Sequence, residues 1–195
     1  MSPSLPAPPV PLSKLGRAAH DIGLAGLLGG NLFGRLAMHP SVSEISDAAE
    51  RGKVVNAAWR RYGAVNSASL AAVVVGWSGA RLRESANSRL GGDERRLAYA
   101  KDALVGLVAV TGLATAAEGM RFARMAPGGA VPLRDGDHAA ATASVQAQRS
   151  KRRVNVLSTG NLICEVALVA VNSALSQEGF RRPPARRFIP RWGRL

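Results

Sequence analysis

Aromatic side chains are scarce: they make up 5% of the 195 residues, although 47% of the chain is hydrophobic. The apolar content is therefore mainly Ala, Val, Leu and Gly, side chains that each bury little area. A water-soluble core of this size takes more of its burial from aromatic rings. Helices packed in lipid instead favour Gly, Ala and Ser, because close backbone approach drives their association. Acidic residues are also few, 13 against 26 Lys and Arg, which leaves a net charge of +13. That excess suits an anionic neighbour, either lipid or nucleic acid. The single cysteine, Cys164, excludes an intrachain disulfide and a multi-cysteine zinc site. The sequence has no H-E-x-x-H, P-loop, dinucleotide fingerprint or G-x-S-x-G elbow. No catalytic motif is present, and no cofactor is expected.

What is there is a set of four apolar stretches, and the fold class expected from them is all-α, a four-helix transmembrane bundle. The spans are about residues 15–38, 62–80, 97–117 and 154–176, against the roughly 20 apolar residues needed to cross a bilayer. Only the second, Tyr62–Ala80, is wholly uncharged over 19 residues. The first and third require Arg17, His20, Lys101 and Asp102 to lie near an interface or inside the bundle. A soluble four-helix bundle is the alternative, but a surface helix of that kind carries a charged face that Tyr62–Ala80 lacks. Residues 1–14 read as a disordered arm, with five prolines among the first 13 residues. Residues 15–177 form the membrane domain, and 178–195 form a basic tail.

Small residues recur four apart. Gly26, Gly30 and Gly34 make two overlapping G-x-x-x-G units in helix one. In helix two Ala64, Ala68, Ala72, Gly76 and Ala80 keep the same spacing. These residues are expected to form helix-packing seams, either within the bundle or between copies of it.

Glu165 stands near the middle of the fourth span, where a charged carboxylate costs about 2.5–3.5 kcal/mol on insertion scales. Ser158, Asn161, Glu165, Asn172 and Ser176 follow helical spacing and share one face, which must look into the bundle. A neutral Glu165 bonded to Asn31 or Asn66 would form an interhelical clasp. The same group could instead titrate as a proton relay or line a polar pocket. A second polar set, Arg17, His20, Asp21, Lys101 and Asp102, lies towards one end of the bundle and could pair into a network or snorkel to the interface. Haem is not expected. It needs two well-placed axial ligands, yet His39 lies at the far end of helix one and His138 lies in a loop.

The tail carries Arg181, Arg182, Arg186, Arg187, Arg191 and Arg194 with Phe180, Phe188 and Trp192 between them. Beside a last span such a segment contacts anionic lipid headgroups; no nucleic-acid module accompanies it. Lys and Arg divide almost evenly between the two sides of a four-span topology, so the basic tail decides the expectation of cytoplasmic termini.

The stretches AHDIGLAGLLGGNLFGR, VVNAAWRRYGAVNSASL and QRSKRRVNVLSTGNLICEVALVAVNS together resemble an uncharacterised family of small four-helix actinobacterial integral membrane proteins. The resemblance covers roughly residues 15–180. It implies a multi-pass protein of the cell membrane and assigns no activity, cofactor or catalytic residue. The expected function is that of an interaction or accessory bundle, as a homo-oligomer or beside another membrane protein. The alternative is a small transporter, proton relay or membrane enzyme centred on Glu165.

Overall fold

Asp47 starts the second helix by accepting the Glu50 N–H at 2.7 Å, an N-cap that satisfies a donor the helix itself cannot. No proline follows, and helix α2 runs unbroken over Ala48–Arg83. Helix α3, Gly92–Ala123, opens with Asp93 and Glu94 and closes on Arg121, charges that complement its dipole. The Glu94 carboxylate accepts the Gly91 N–H at 2.8 Å. Helix α4, Val145–Phe180, is capped by Ser144, whose hydroxyl accepts the Ala147 N–H at 3.2 Å.

Helix α1, Leu12–Phe33, does not end cleanly. It widens into a π-helical segment, Gly34–Met38, then a short turn, His39–Ser41, with Pro40 at its start. Proline's ring collides with the carbonyl four residues back, here Leu36, and a wider turn relieves that contact. The computed structural model describes residues 12–180, apart from 84, 86, 88 and 89. The six tail arginines and the proline arm up to residue 11 lie outside the described residues.

The fold is all-α, with four long helices; among the described residues the only β feature is one bridge, Leu133 to Ala139. All four helices are longer than, or shifted from, the apolar stretches that announce them. Helix α1 already begins at Leu12, inside the segment expected to be disordered. Helices α1 and α2 form one close antiparallel pair and α3 and α4 the other. Three helices, α2, α3 and α4, are long and apolar enough to cross a membrane. Helix α1 is not among them, because Lys14, Arg17, His20 and Asp21 crowd its first turns.

The bundle has an apolar core, yet its long helices leave most of their apolar stretches exposed. Only 28%, 11% and 17% of the apolar stretches of α2, α3 and α4 are buried inside the protein. Ile22, Val75, Val110 and Ile163 point outwards, while Glu165, Asn161, His20 and Lys101 are buried. A large apolar exterior marks a surface for protein or membrane contact.

The ends of α1 and α3 and the starts of α2 and α4 project beyond this zone and carry a separate cap. Gly128 and Gly129, at φ 62° and 78°, turn the chain after α3, a left-handed geometry that favours glycine. The following segment buries Val131 and Leu133 against Val42, Val55, Phe122 and Ala147. Leu133 N–H donates to the Ala48 carbonyl at 2.9 Å. Arg51 ties the same loop down by donating to the carbonyls of Ile45 and Arg134 at 2.6 and 2.8 Å.

Candidate functional site

The glycine seam holds α1 against α2. A methyl group added at Gly26 would strike Ser69, one at Gly30 the Tyr62 ring, and one at Gly34 the Trp59 ring. Gly23 meets Ser69 and Ala72, and Gly76 of α2 meets Gly16 and His20 in the same way. Tyr62 closes the contact by donating its hydroxyl to the Gly26 carbonyl at 2.7 Å. On α2 the seam departs from the four-residue spacing: Ala64 and Ala68 are exposed, while Ser69, Gly76 and Ala80 are buried. The reason is geometric. Four residues turn a helix by about 400°, so each step drifts by about 40° and four steps carry the row to another face. The alternating spacing of Tyr62, Ser69, Val73, Gly76 and Ala80 keeps to one face.

At mid-bundle Glu165 is 0% exposed. Its Oε1 accepts from Asn31 Nδ2 of α1 at 2.7 Å and from Asn161 Nδ2 of α4 at 2.6 Å. Asn161 in turn accepts from the Thr111 hydroxyl of α3 at 2.8 Å. One carboxyl oxygen thus links α1 to α4, and Asn161 extends the link to α3. Glu165 Oε2 is buried without a partner, as is Oδ1 of Asn66. Asn66 lies on α2 between the residues that meet Gly30 and Gly26. A carboxylate cannot occupy such a place cheaply, whereas a neutral acid with a carbonyl-like Oε1 matches two amide donors.

The second polar set lies about two helical turns from Glu165. Lys101 Nζ donates to Asn172 Oδ1 and sits 4.1 Å from the centre of the Trp77 ring, a cation–π contact. Asn172 Nδ2 donates to Asp21 at 3.0 Å, so one amide joins Lys101 to Asp21. Asp102 turns away from them and accepts from Trp77 Nε1 at 2.8 Å and from Arg81 Nε at 2.9 Å. His20 donates Nδ1–H to the Val73 carbonyl at 2.9 Å, leaving Nε2 buried without a partner. Ser176 is exposed and bonds only back to the Asn172 carbonyl of its own helix.

Between these two levels lies an apolar layer, with Leu24, Leu27, Val73, Val105, Val108 and Leu168 buried in a single cluster. Leu168 stands one turn from Glu165 on the line to Asn172. Glu165 and the Lys101 group share one face of α4 but are not joined.

Sequence reasoning named Asn31 of α1 as a Glu165 partner, as observed, but missed other partners outside α4. Arg81 and Trp77 hold Asp102; Thr111 extends the Glu165 link; Arg35 of the π segment donates to Ser158 at 3.0 Å. Thr111 could have been found by depth, since it lies midway along α3. In the cap, His39 accepts the Trp59 indole N–H at Nε2, 3.1 Å, which leaves Nδ1–H to donate to Asp137 at 2.9 Å. That bond holds the Asp137 carboxyl below the usual carboxylate range against the opposing effect of burial. Among the described residues no group of three His, Cys, Asp or Glu side chains could hold a metal ion. No protein-family model, curated protein or solved structure matches the chain.

Proposed function

We propose that the chain is a multi-pass protein of the cell membrane, with all four helices across the bilayer and both termini cytoplasmic. It works as an interaction or accessory bundle rather than as an enzyme. One observation carries this reading: the carboxyl at mid-bundle is fully buried, bound by amides of α1 and α4, and separated from the Lys101 group by the Leu168 layer. Such a group fixes helix register, and the dry layer blocks the water chain a relay would need. Outward-facing Leu15, Ile22, Phe33 and Leu36 support lipid contact for α1 as well. Because α2 fills the glycine seam, a second copy or a partner protein must meet other surfaces. The six tail arginines, which follow α4 in the sequence, supply contact with anionic headgroups.

Carbonate extraction of membranes followed by protease mapping of both termini tests the assignment. The protein is expected to stay in the pellet, and recovery in the soluble fraction would reject it. For the activity, proteoliposomes holding a pH-sensitive dye should show the same proton leak for wild type and Glu165→Gln. The relay reading has one specific support, the unpartnered Glu165 Oε2, Asn66 Oδ1 and His20 Nε2. It predicts a proton flux that disappears in the Gln variant.

A further inference from the structure

At the cap end of the α3–α4 pair, an open cleft of about 430 Å³ runs between Glu118 of α3 and Arg152, Arg153, Val156 and Leu157 of α4. The lining is almost wholly apolar, so Arg152 and Arg153 face it with their carbon stems and stand at its edge. Arg152 and Arg153 are exposed and make no ion pair or hydrogen bond among the described residues. The acid beside them is already engaged: Glu118 accepts from the Ser150 hydroxyl at 2.7 Å and lies 3.9 Å from Arg121. Val156, 72% exposed, begins a strip that continues through Ile163 and Val166 on the outside of the bundle.

We infer that this cleft binds an anionic phospholipid, with the headgroup phosphate on Arg152 and Arg153 and an acyl chain lying along Val156 and Leu157. The arrangement fits that ligand in two independent ways. Two uncompensated guanidiniums beside the cleft can fork onto phosphate oxygens, and a lone phosphate would leave the apolar lining unused. The cleft is also continuous with the apolar exterior, so a lipid could enter sideways from the bilayer without leaving it. This inference rests on the membrane reading above. It differs from a diffuse surface attraction because charge and apolar groove meet at one place.

Full-length protein in detergent, titrated with phosphatidylglycerol and observed by native mass spectrometry, tests it. The wild type should retain phosphatidylglycerol in preference to phosphatidylcholine. Arg152→Gln with Arg153→Gln should weaken the tightest binding by about tenfold or more, since each basic residue near a membrane surface contributes about 1 kcal/mol. Val156→Trp, at an exposed position, should fill the apolar cleft and weaken binding while all charges remain. Removing the exposed pair Arg60 and Arg61 of α2, also by Gln, is the charge control and should leave the tightest binding unchanged. An equal loss in that control would replace the site with general surface charge. Displacement of the lipid by millimolar inorganic phosphate, or no effect of Val156→Trp, would make it an anion contact and reject the lipid. Carbonate-extractable protein would reject the membrane reading itself, a result separable from all of these.

Discussion

The bundle and the cap each have an apolar core, but they differ in what they leave on the outside. In the bundle the polar groups face inwards: Glu165, Asn161 and Lys101 are buried while Ile22, Val110 and Ile163 face out. In the cap Val131, Leu133 and Phe122 are buried, while Arg134 and His138 lie at the surface. The same helices pass through both zones, and the proposed membrane placement assigns the difference to the surroundings. On the membrane reading proposed above, lipid surrounds the bundle, burying a leucine there gains little, and close glycine packing with interhelical hydrogen bonds holds the helices together. Where water surrounds them, burying a leucine is worth about 1.5–3 kcal/mol.

The comparison breaks most directly at Leu133, the fully buried residue of the cap core. Leu133→Ala should cost about 2–5 kcal/mol of cap stability, read as faster proteolysis of the 124–144 loop with α2–α4 still resistant. Equal loss across the bundle would mean that the two zones unfold together. Gly30→Leu probes the other side. The added side chain displaces Tyr62 and its bond to the Gly26 carbonyl, at about 1–3 kcal/mol for overpacking. Thermal unfolding in detergent should show it, and an unchanged midpoint would remove the seam from the account.

Acid sharpens the contrast, because it acts on the cap. Burial raises the Asp135 carboxyl, but hydrogen bonds from His138, the Asp137 N–H and Arg134 outweigh it and bring it down to about 2. A carboxyl depressed in the folded state contributes its stability above its ordinary value of 3.8, and that contribution is lost as pH falls towards 2. Loop proteolysis by an acid-active protease should therefore rise across that window. Asp135→Ala should shrink the pH step to the part that Asp137 supplies and cost about 1 kcal/mol, as for a lost cap. At mid-bundle the effects are smaller. Glu165→Leu leaves Asn31 and Asn161 without their acceptor and should cost about 1 kcal/mol. Glu165→Gln retains an acceptor oxygen and should leave the unfolding midpoint in detergent almost unchanged. A large defect there would mean that the carboxyl is ionised and paired.

The helical class was legible from apolar runs and small residues, and Glu165 stood out because one acid interrupts an otherwise apolar span. The spacing of Asn161 from Glu165 placed them on one face without the fold. Ala68 shows the limit. Its four-residue spacing from Ala72 and Gly76 is visible in the sequence, yet helical drift turns it outwards. The cap was not legible as a second core, because Val131 and Leu133 are two isolated apolar residues in a loop rich in Gly, Asp and Arg.

By itself, then, the sequence determined that the chain is all-α with four long helices, that small and apolar residues dominate their middles, and that Glu165 must look inwards. Those properties are local, set by composition and by the rotation per residue. The tertiary structure alone decided that the glycine seam faces α2, that Asn31 rather than Asn66 donates to Glu165, and that His39 meets Asp137 and Trp59. Those partners lie tens to more than a hundred residues apart, and only the packing of whole helices sets the level at which two distant side chains meet.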